Sequence, residues 1–193
     1  MTRDPCDVVP ASDLSKRLIE HFGPADSVRC LRWTVGHSVE RLPWLQVIEA
    51  TAEGRVHYIS SGASKILDRP GHGLEFCYIA RAPSSNHVEL LAMVAYMHAL
   101  PQHRMGVGHT MAIGRPVTDG SALDRLLVSR PYPYGSDFEY VHTVDGGHAR
   151  LLWLLPISQA EERYRHEHGL DRLEERLERT GLDYSDPMRA SVV

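Results

Sequence analysis

Apolar and polar positions along this chain repeat with two different periods, which predict where helices and strands lie. Apolar positions three to four residues apart are typical of helices, and they recur at 12–24, 84–100 and 170–181. Alternating positions or short apolar runs are typical of strands, and they occur at 27–35, 45–51, 55–61, 74–82, 105–114, 122–131, 138–144 and 148–157.

Local signals set the expected ends of these elements. Ser85 or Asn86 can cap the helix at 84–100, and Pro101 ends it. Ser158 followed by Glu161 is a capping box, which predicts a further helix directly after the last strand, ending at Gly169. The pairs Glu53-Gly54 and Asp145-Gly146 predict tight turns of two hairpins.

The order of these elements predicts the fold class. The strands come in hairpin-like groups and do not alternate singly with helices. That arrangement favours an α+β fold with a mixed, mostly antiparallel sheet flanked by helices.

Composition narrows the function classes. The chain has 193 residues, 42% hydrophobic residues and a net charge of −4, which suits one globular domain and disfavours a nucleic-acid partner. We expect neither a signal peptide nor a membrane span, because the amino-terminal segment is polar and the longest apolar run, 151–155, is too short. Three scattered cysteines, Cys6, Cys30 and Cys77, predict reduced thiols and a cytoplasmic protein.

Two polar clusters are candidates for a catalytic or metal site. Glu162 and His166 lie four residues apart on the predicted helix but supply only two ligands, so a solvated helix face is favoured. The segment "SSGASK" matches no serine-nucleophile or phosphate-loop motif, which favours a turn. A metal- or serine-dependent enzyme stays an alternative, through the region of His98, His103 and His109 or through the turn of Ser61 and Ser64.

One loop and one helix offer candidate contacts for a protein partner. Tyr132 and Tyr134 flank Pro133 beside Arg130, and tyrosine and arginine are frequent interface anchors. Acids of the last two predicted helices, among them Glu162 and Glu174, could contact a basic partner.

Several segments, in order, resemble the suppressor of fused family in its short bacterial single-domain form. "VHYISSGASKIL" is similar to the family's strand and Gly-Ser turn, here Gly62 and Ser64, and "GLEFCYIARAP" to its Glu-to-Arg strand, here Glu75 and Arg81. The resemblance extends over about 27–193, and residues 1–26 are predicted to form an amino-terminal helix beside that domain. The remaining family-motif positions lie in "LPISQAE" and "DPMRASVV" and are Pro156, Ser158, Glu161, Arg189 and Ser191.

The resemblance implies a non-catalytic protein-binding domain without a cofactor or metal. Animal members of the family bind a transcription factor by strand addition. Bacterial members are thought to act often as immunity proteins, which neutralise toxin domains of polymorphic toxin systems. A cytoplasmic immunity protein with a toxin partner, and no nucleic-acid or membrane partner, is therefore the favoured expectation.

Overall fold

The computed structural model describes residues 16, 20, 21, 28–66, 72–142 and 148–193, with the backbone alone for residues 72, 141 and 142. The helix expected over 12–24 lies outside this set except for Lys16, Glu20 and His21, which are helical. The turn expected at Asp145-Gly146 also lies outside it. The boundary at residue 26 stays a prediction.

The described elements are eight strands and four α-helices. The strands are β1 Val28–Leu31, β2 Gln46–Ala52, β3 Arg55–Ser61, β4 His72–Ala80, β5 Thr110–Ala112, β6 Leu123–Ser129, β7 Tyr140–His142 and β8 His148–Ser158. The helices are α1 His37–Arg41, α2 Ser85–His98, α3 Gln159–His168 and α4 Leu170–Arg179. The chain divides into two compact units, the first Met1–Met105 with Arg130–Trp153 and the second Gly106–Ser129 with Leu154–Val193.

In the first unit, strands β1 to β4 pair antiparallel in chain order, and β8 continues the sheet parallel to β4. The β2–β3 hairpin is confirmed, and its turn places Glu53 at φ 52° and Gly54 at φ 72°. Such left-handed pairs match the twist of a hairpin. The hairpin of β7 and β8 is also confirmed by antiparallel pairing.

Helix α2 packs on β3 and β4 in the first unit. Its apolar stripe is buried as expected, at Val88, Leu91, Ala92 and Ala95. The predicted cap, Ser85 or Asn86, was wrong. Ser84 caps the helix, because its hydroxyl accepts the Asn86 amide. The Ser84 amide donates to the Tyr58 hydroxyl at 2.9 Å, which ties the start of the helix to β3.

The second unit contains the end of β8, followed across the sheet by β6 and β5. Helix α3 packs on β6 and contacts α4, whose Leu173 is completely buried. The capping box is confirmed: Ser158 accepts the Glu161 amide, and the Glu161 carboxylate accepts the Ser158 amide. The β4–β8 pair is parallel, and the pairs β1–β2, β2–β3, β3–β4, β5–β6 and β7–β8 are antiparallel. The fold is therefore the expected α+β class with a mixed, mostly antiparallel sheet.

Candidate functional site

The Gly-Ser turn after β3 encloses a buried carboxylate. Glu75 is 2% exposed, and its Oε1 accepts the amides of Gly62 at 2.8 Å and Ser64 at 3.0 Å. Its Oε2 accepts the Ser60 hydroxyl at 2.5 Å, and Ser60 in turn accepts the Phe76 amide. Burial raises the pKa of Glu75, while these hydrogen bonds act in the opposite direction. The arrangement holds the turn against β4.

Two glycines make this close approach possible. Gly62 has φ 105°, a left-handed conformation that side chains rarely adopt. A Cβ on Gly73 would lie 2.0 Å from the Ser64 carbonyl oxygen, so any side chain there would displace the turn. The motif positions Gly62, Ser64 and Glu75 therefore meet in the first unit, where the half-buried turn covers the buried Glu75 carboxylate.

The remaining motif positions meet in the second unit. Arg189 binds Glu161 through two parallel hydrogen bonds, and it also donates to the Pro156 carbonyl at 2.8 Å. The hydroxyls of Ser158 and Ser191 lie 2.9 Å apart. The carboxyl-terminal segment is thereby fastened to the junction of β8 and α3, and these side chains bind one another.

The histidines proposed for an enzyme lie in different surroundings. His98 is completely buried, and its Nδ1 accepts the Met105 amide at 3.0 Å. His103 and His109 are exposed, and His109 belongs to the second unit. Among residues with described side chains, no group of three histidine, cysteine, aspartate or glutamate residues is arranged to hold a metal ion.

The two tyrosines of the candidate partner loop differ in exposure. Tyr132 is 54% exposed and Arg130 is exposed, whereas Tyr134 is 6% exposed. The Tyr134 hydroxyl lies 3.0 Å from Nδ1 of His57, a buried histidine of β3. Burial lowers the pKa of His57 to about 4.

The two acids proposed as partner contacts both bind β6. Glu162 forms an ion pair with Arg125. Burial acts to raise the pKa of Glu162, but hydrogen bonds from the Thr110 side chain and from Arg125 outweigh it, so the pKa is lowered. Glu174 accepts the Ser129 hydroxyl at 2.7 Å. Glu162 therefore ties α3 to β6, and Glu174 ties α4 to β6. The alternation of charges along the two helices did not indicate these contacts.

Sequence reasoning passed over Trp44, the exposed aromatic residue beside the Gly-Ser turn. Its side chain is 41% exposed, and its indole N–H donates to the Gly62 carbonyl at 3.0 Å. The sequence does contain a signal for this residue. Trp44 directly follows Pro43 and does not belong to the apolar pattern of a predicted helix or strand, and a large aromatic side chain at such a position can lie at the surface.

The side chains of Cys30 and Cys77 are both buried. Burial raises the pKa of Cys77, which disfavours its reactive thiolate form. Along the described part of the chain, no helix is both long and apolar enough to span a membrane.

Three of the solved structures that share this fold are named for suppressor of fused proteins. A suppressor of fused homologue from Neisseria gonorrhoeae is 34% identical, with 92% of each chain covered and a TM-score of 0.77. A chain in the structure of the Sufu–Fu complex matches at 15% identity and a TM-score of 0.70, covering 92% of this chain and 89% of that one. Drosophila Suppressor of Fused matches at 16% identity and a TM-score of 0.60, with 76% of this chain covering 42% of that chain.

A family model identifies the same class of protein. The model of the suppressor of fused protein matches residues 41–190. The chain therefore belongs to the suppressor of fused family. No curated protein matches it.

Proposed function

We propose that this chain is a non-catalytic protein-binding domain, and that it acts in the cytoplasm as an immunity protein neutralising a toxin domain of a bacterial polymorphic toxin system. The observation that carries the proposal is the loop of residues 130–138, in which Tyr134 is buried and Tyr132 is exposed. The family membership supports it, because the Sufu–Fu structure is by its name a complex of two proteins.

The loop is held in place by its own backbone and by one buried ring. The amide of Tyr132 donates to the Arg130 carbonyl at 2.8 Å, and that of Tyr134 to the Pro131 carbonyl at 2.9 Å. The Tyr134 ring lies 5.5 Å from the His57 ring and 5.7 Å from the Phe138 ring, between centroids. A partner would therefore meet Tyr132 in a fixed position, which reduces the conformational entropy lost on binding.

The surroundings of the motif residues support a role other than catalysis. Glu75 is buried beneath the Gly-Ser turn, and Glu161 and Arg189 are buried against each other. A catalytic acid or base must reach the proton it transfers. These buried groups stabilise the fold, and exposed residues such as Tyr132 and Arg130 contact the partner.

The acids of α3 and α4 have a smaller part in the proposal. A basic partner that binds Glu162 or Glu174 must compete with Arg125 or with the Ser129 hydroxyl. Their contribution is therefore to long-range attraction of a basic toxin surface, which changes the association rate more than the dissociation rate.

Co-expression with a toxin tests the function directly. A candidate toxin domain of a polymorphic toxin system is expressed in a sensitive bacterial host with and without the full chain. Restored growth, together with a stable complex of the two purified proteins, is the expected result. Growth arrest that persists while the chain is present and folded would reject the immunity role.

A variant of the loop tests the proposed contact. Tyr132→Ala should weaken binding of that toxin by about 2 kcal/mol, close to thirtyfold, if Tyr132 is an interface anchor. Met188→Ala is the matched control, because Met188 is 58% exposed and belongs to the second unit. Equal affinities for wild type and Tyr132→Ala would remove the loop from the interface.

A further inference from the structure

A tight turn of the first unit holds Trp44 at the surface in a fixed orientation. The Leu45 amide donates to the Leu42 carbonyl at 3.0 Å, and Leu42 and Leu45 are buried, at 3% and 8% exposure. The indole of Trp44 between them is 41% exposed and donates its N–H to the Gly62 carbonyl. Because the polar atom of the ring is already bonded, the exposed part of Trp44 offers a partner only apolar and aromatic contact.

Two cationic side chains lie beside this tryptophan. The amide of Lys65 donates to the same Gly62 carbonyl at 3.2 Å, so Lys65 and the Trp44 indole are neighbours. Nη2 of Arg32 lies 2.9 Å from the side-chain amide of Gln46, two residues after Trp44. Both cations are exposed, and no acid within the described part of the chain forms an ion pair with either of them. Their charges are therefore available to a partner.

The local charge is opposite in sign to that of the whole chain. Segments 32–46 and 60–66 together contain three cations and one acid, which are Arg32, Arg41, Lys65 and Glu40. Three positive charges and one negative charge give a net charge of +2 with histidine neutral, whereas the whole chain carries −4. An acidic partner is therefore attracted to this region, although the chain as a whole is acidic.

A shallow apolar depression lies next to Trp44. Its volume is about 10 Å³, which suits a single methyl-sized group. The residues around it include Trp33, Val39, Leu42 and Ala92. Well-packed apolar pockets of this kind receive the anchoring side chain of a partner at protein interfaces.

This depression and the loop that carries Tyr134 lie on opposite faces of the sheet. His57 and Tyr58 are successive residues of β3, so their side chains point to opposite faces. The Tyr58 hydroxyl accepts the Ser84 amide at the start of α2, whereas His57 lies 3.0 Å from the Tyr134 hydroxyl. Because Ala92 of α2 lines the depression, the depression belongs to the α2 face.

We propose that this region binds an acidic segment of a second protein through a surface, here called the Trp44 surface, formed by Arg32, Trp33, Val39, Trp44 and Lys65. Carboxylates of the segment pair with the two cations, and an apolar side chain packs on the exposed indole and enters the depression. These are the two kinds of contact that the surface leaves open. Because the depression lies on the face opposite the tyrosine loop, the chain can hold this protein and a toxin at the same time.

A peptide probe tests the Trp44 surface. A fluorescent peptide of repeated Asp-Leu pairs is titrated into the full chain at low ionic strength, and a peptide of repeated Lys-Leu pairs is the probe of opposite charge. We expect saturable binding of the acidic peptide and binding of the basic peptide that is at least about tenfold weaker. Trp44→Ala should weaken binding of the acidic peptide about thirtyfold, the effect of losing an aromatic anchor.

Lys65→Glu and Lys16→Glu are a matched pair of variants, because they change the two lysines of the chain and both lysines are exposed. Lys65→Glu should weaken binding of the acidic peptide at least about tenfold, whereas Lys16→Glu should keep the wild-type affinity. A measurement on the wild type does not depend on how the variants fold. In NMR spectra the bound peptide should shift the indole N–H resonance of Trp44 and leave that of Trp153, which is 6% exposed, unmoved.

The proposal would be overturned by the absence of saturable peptide binding, by equal affinities of the two lysine variants, or by a Trp44 resonance that does not move. Tighter binding to phosphatidylserine vesicles than to the peptide would also overturn it, since the occupant would then be a membrane. A loss of peptide affinity in Tyr132→Ala would contradict the separation of the two surfaces. The immunity function is tested independently, because Lys65→Glu should still protect cells from the toxin.

Discussion

Arg189 and Glu161 form a bidentate ion pair with both side chains almost fully buried, at 3% and 0% exposure. The two guanidinium nitrogens donate to the two carboxylate oxygens at 2.7 and 2.9 Å. The same carboxylate accepts the amides of Ser158 and Val192. One acid thus caps α3 and fastens the carboxyl-terminal segment, so the capping box and the final motif form one bonded unit.

Breaking this pair should destabilise the protein strongly. Arg189→Met leaves the Glu161 carboxylate buried without its cation, which costs about 3–5 kcal/mol in the free energy of unfolding. Urea unfolding followed by circular dichroism measures the change. Adding Glu161→Gln to the same chain should recover part of the loss, because the uncompensated charge is then gone.

An exposed arginine of α4 provides the control for that experiment. Arg172 pairs with Glu175 at 3.0 Å, but the two side chains are 67% and 47% exposed. Arg172→Met should have the same urea midpoint of unfolding as the wild type, because exposed ion pairs contribute little to the free energy of unfolding. An Arg189→Met protein as stable as Arg172→Met would mean that the buried pair does not hold the segment.

Local chemistry explains the parts of the fold that could be predicted. The β2–β3 hairpin follows from apolar alternation on either side of Glu53-Gly54, and the start of α3 follows from the spacing of Ser158 and Glu161. Both signals act over a few residues. The cap of α2 was missed because serines stand at two successive positions, Ser84 and Ser85, and only the observed backbone distinguishes them.

Long-range pairings could not be predicted in the same way. No periodic pattern connects Arg189 to Glu161, Glu75 to the Gly-Ser turn, or His57 to Tyr134, since each contact depends on strand order and register. The adjacent tyrosines illustrate the limit: Tyr132 and Tyr134 have the same chemistry in the same loop, and only packing against His57 and Phe138 buries one of them.

Glu75 should be more important as a hydrogen-bond acceptor than as a charge. Glu75→Ala leaves the amides of Gly62 and Ser64 and the buried Ser60 hydroxyl without their acceptor, at a cost of about 3 kcal/mol or more. Glu75→Gln keeps an amide oxygen for the two backbone amides and should retain most of the stability.

Thermal and urea unfolding of these variants measure the difference, with Glu178→Ala as a control at an exposed acid of α4. The interpretation would be contradicted by equal losses in Glu75→Gln and Glu75→Ala, since that outcome makes the negative charge itself the stabilising feature.

Gly73 should tolerate no side chain. In Gly73→Ala the new Cβ would meet the Ser64 carbonyl oxygen at 2.0 Å and its Cα at 2.5 Å, so the turn must move away from Glu75. We expect a loss of about 3 kcal/mol, at the upper end for an overpacked site. Gly106→Ala is the control because its nearest neighbour, Cε1 of His109, is 4.0 Å away. Similar urea midpoints for the two variants would refute the close approach.

The pH dependence of stability should show the titration of His57. Burial lowers the pKa of this histidine from 6.5 to about 4. Between these two pH values the His57 ring is mostly neutral in the folded protein and mostly protonated in the unfolded chain. Above pH 6.5 the ring is neutral in both states. As the pH falls from 6.5 to about 4 the unfolded state binds more protons, and the free energy of unfolding decreases.

The expected decrease over that interval is about 2–3 kcal/mol, which urea unfolding at a series of pH values can resolve. His57→Gln loses contact with the Tyr134 hydroxyl and should be less stable at pH 7, but its stability should fall less steeply toward pH 4. His103→Gln, at an exposed position, should keep the wild-type slope. If His57→Gln and wild type lose stability in parallel below pH 6.5, another group causes the acid sensitivity, and His57 is not held neutral by its burial against Tyr134.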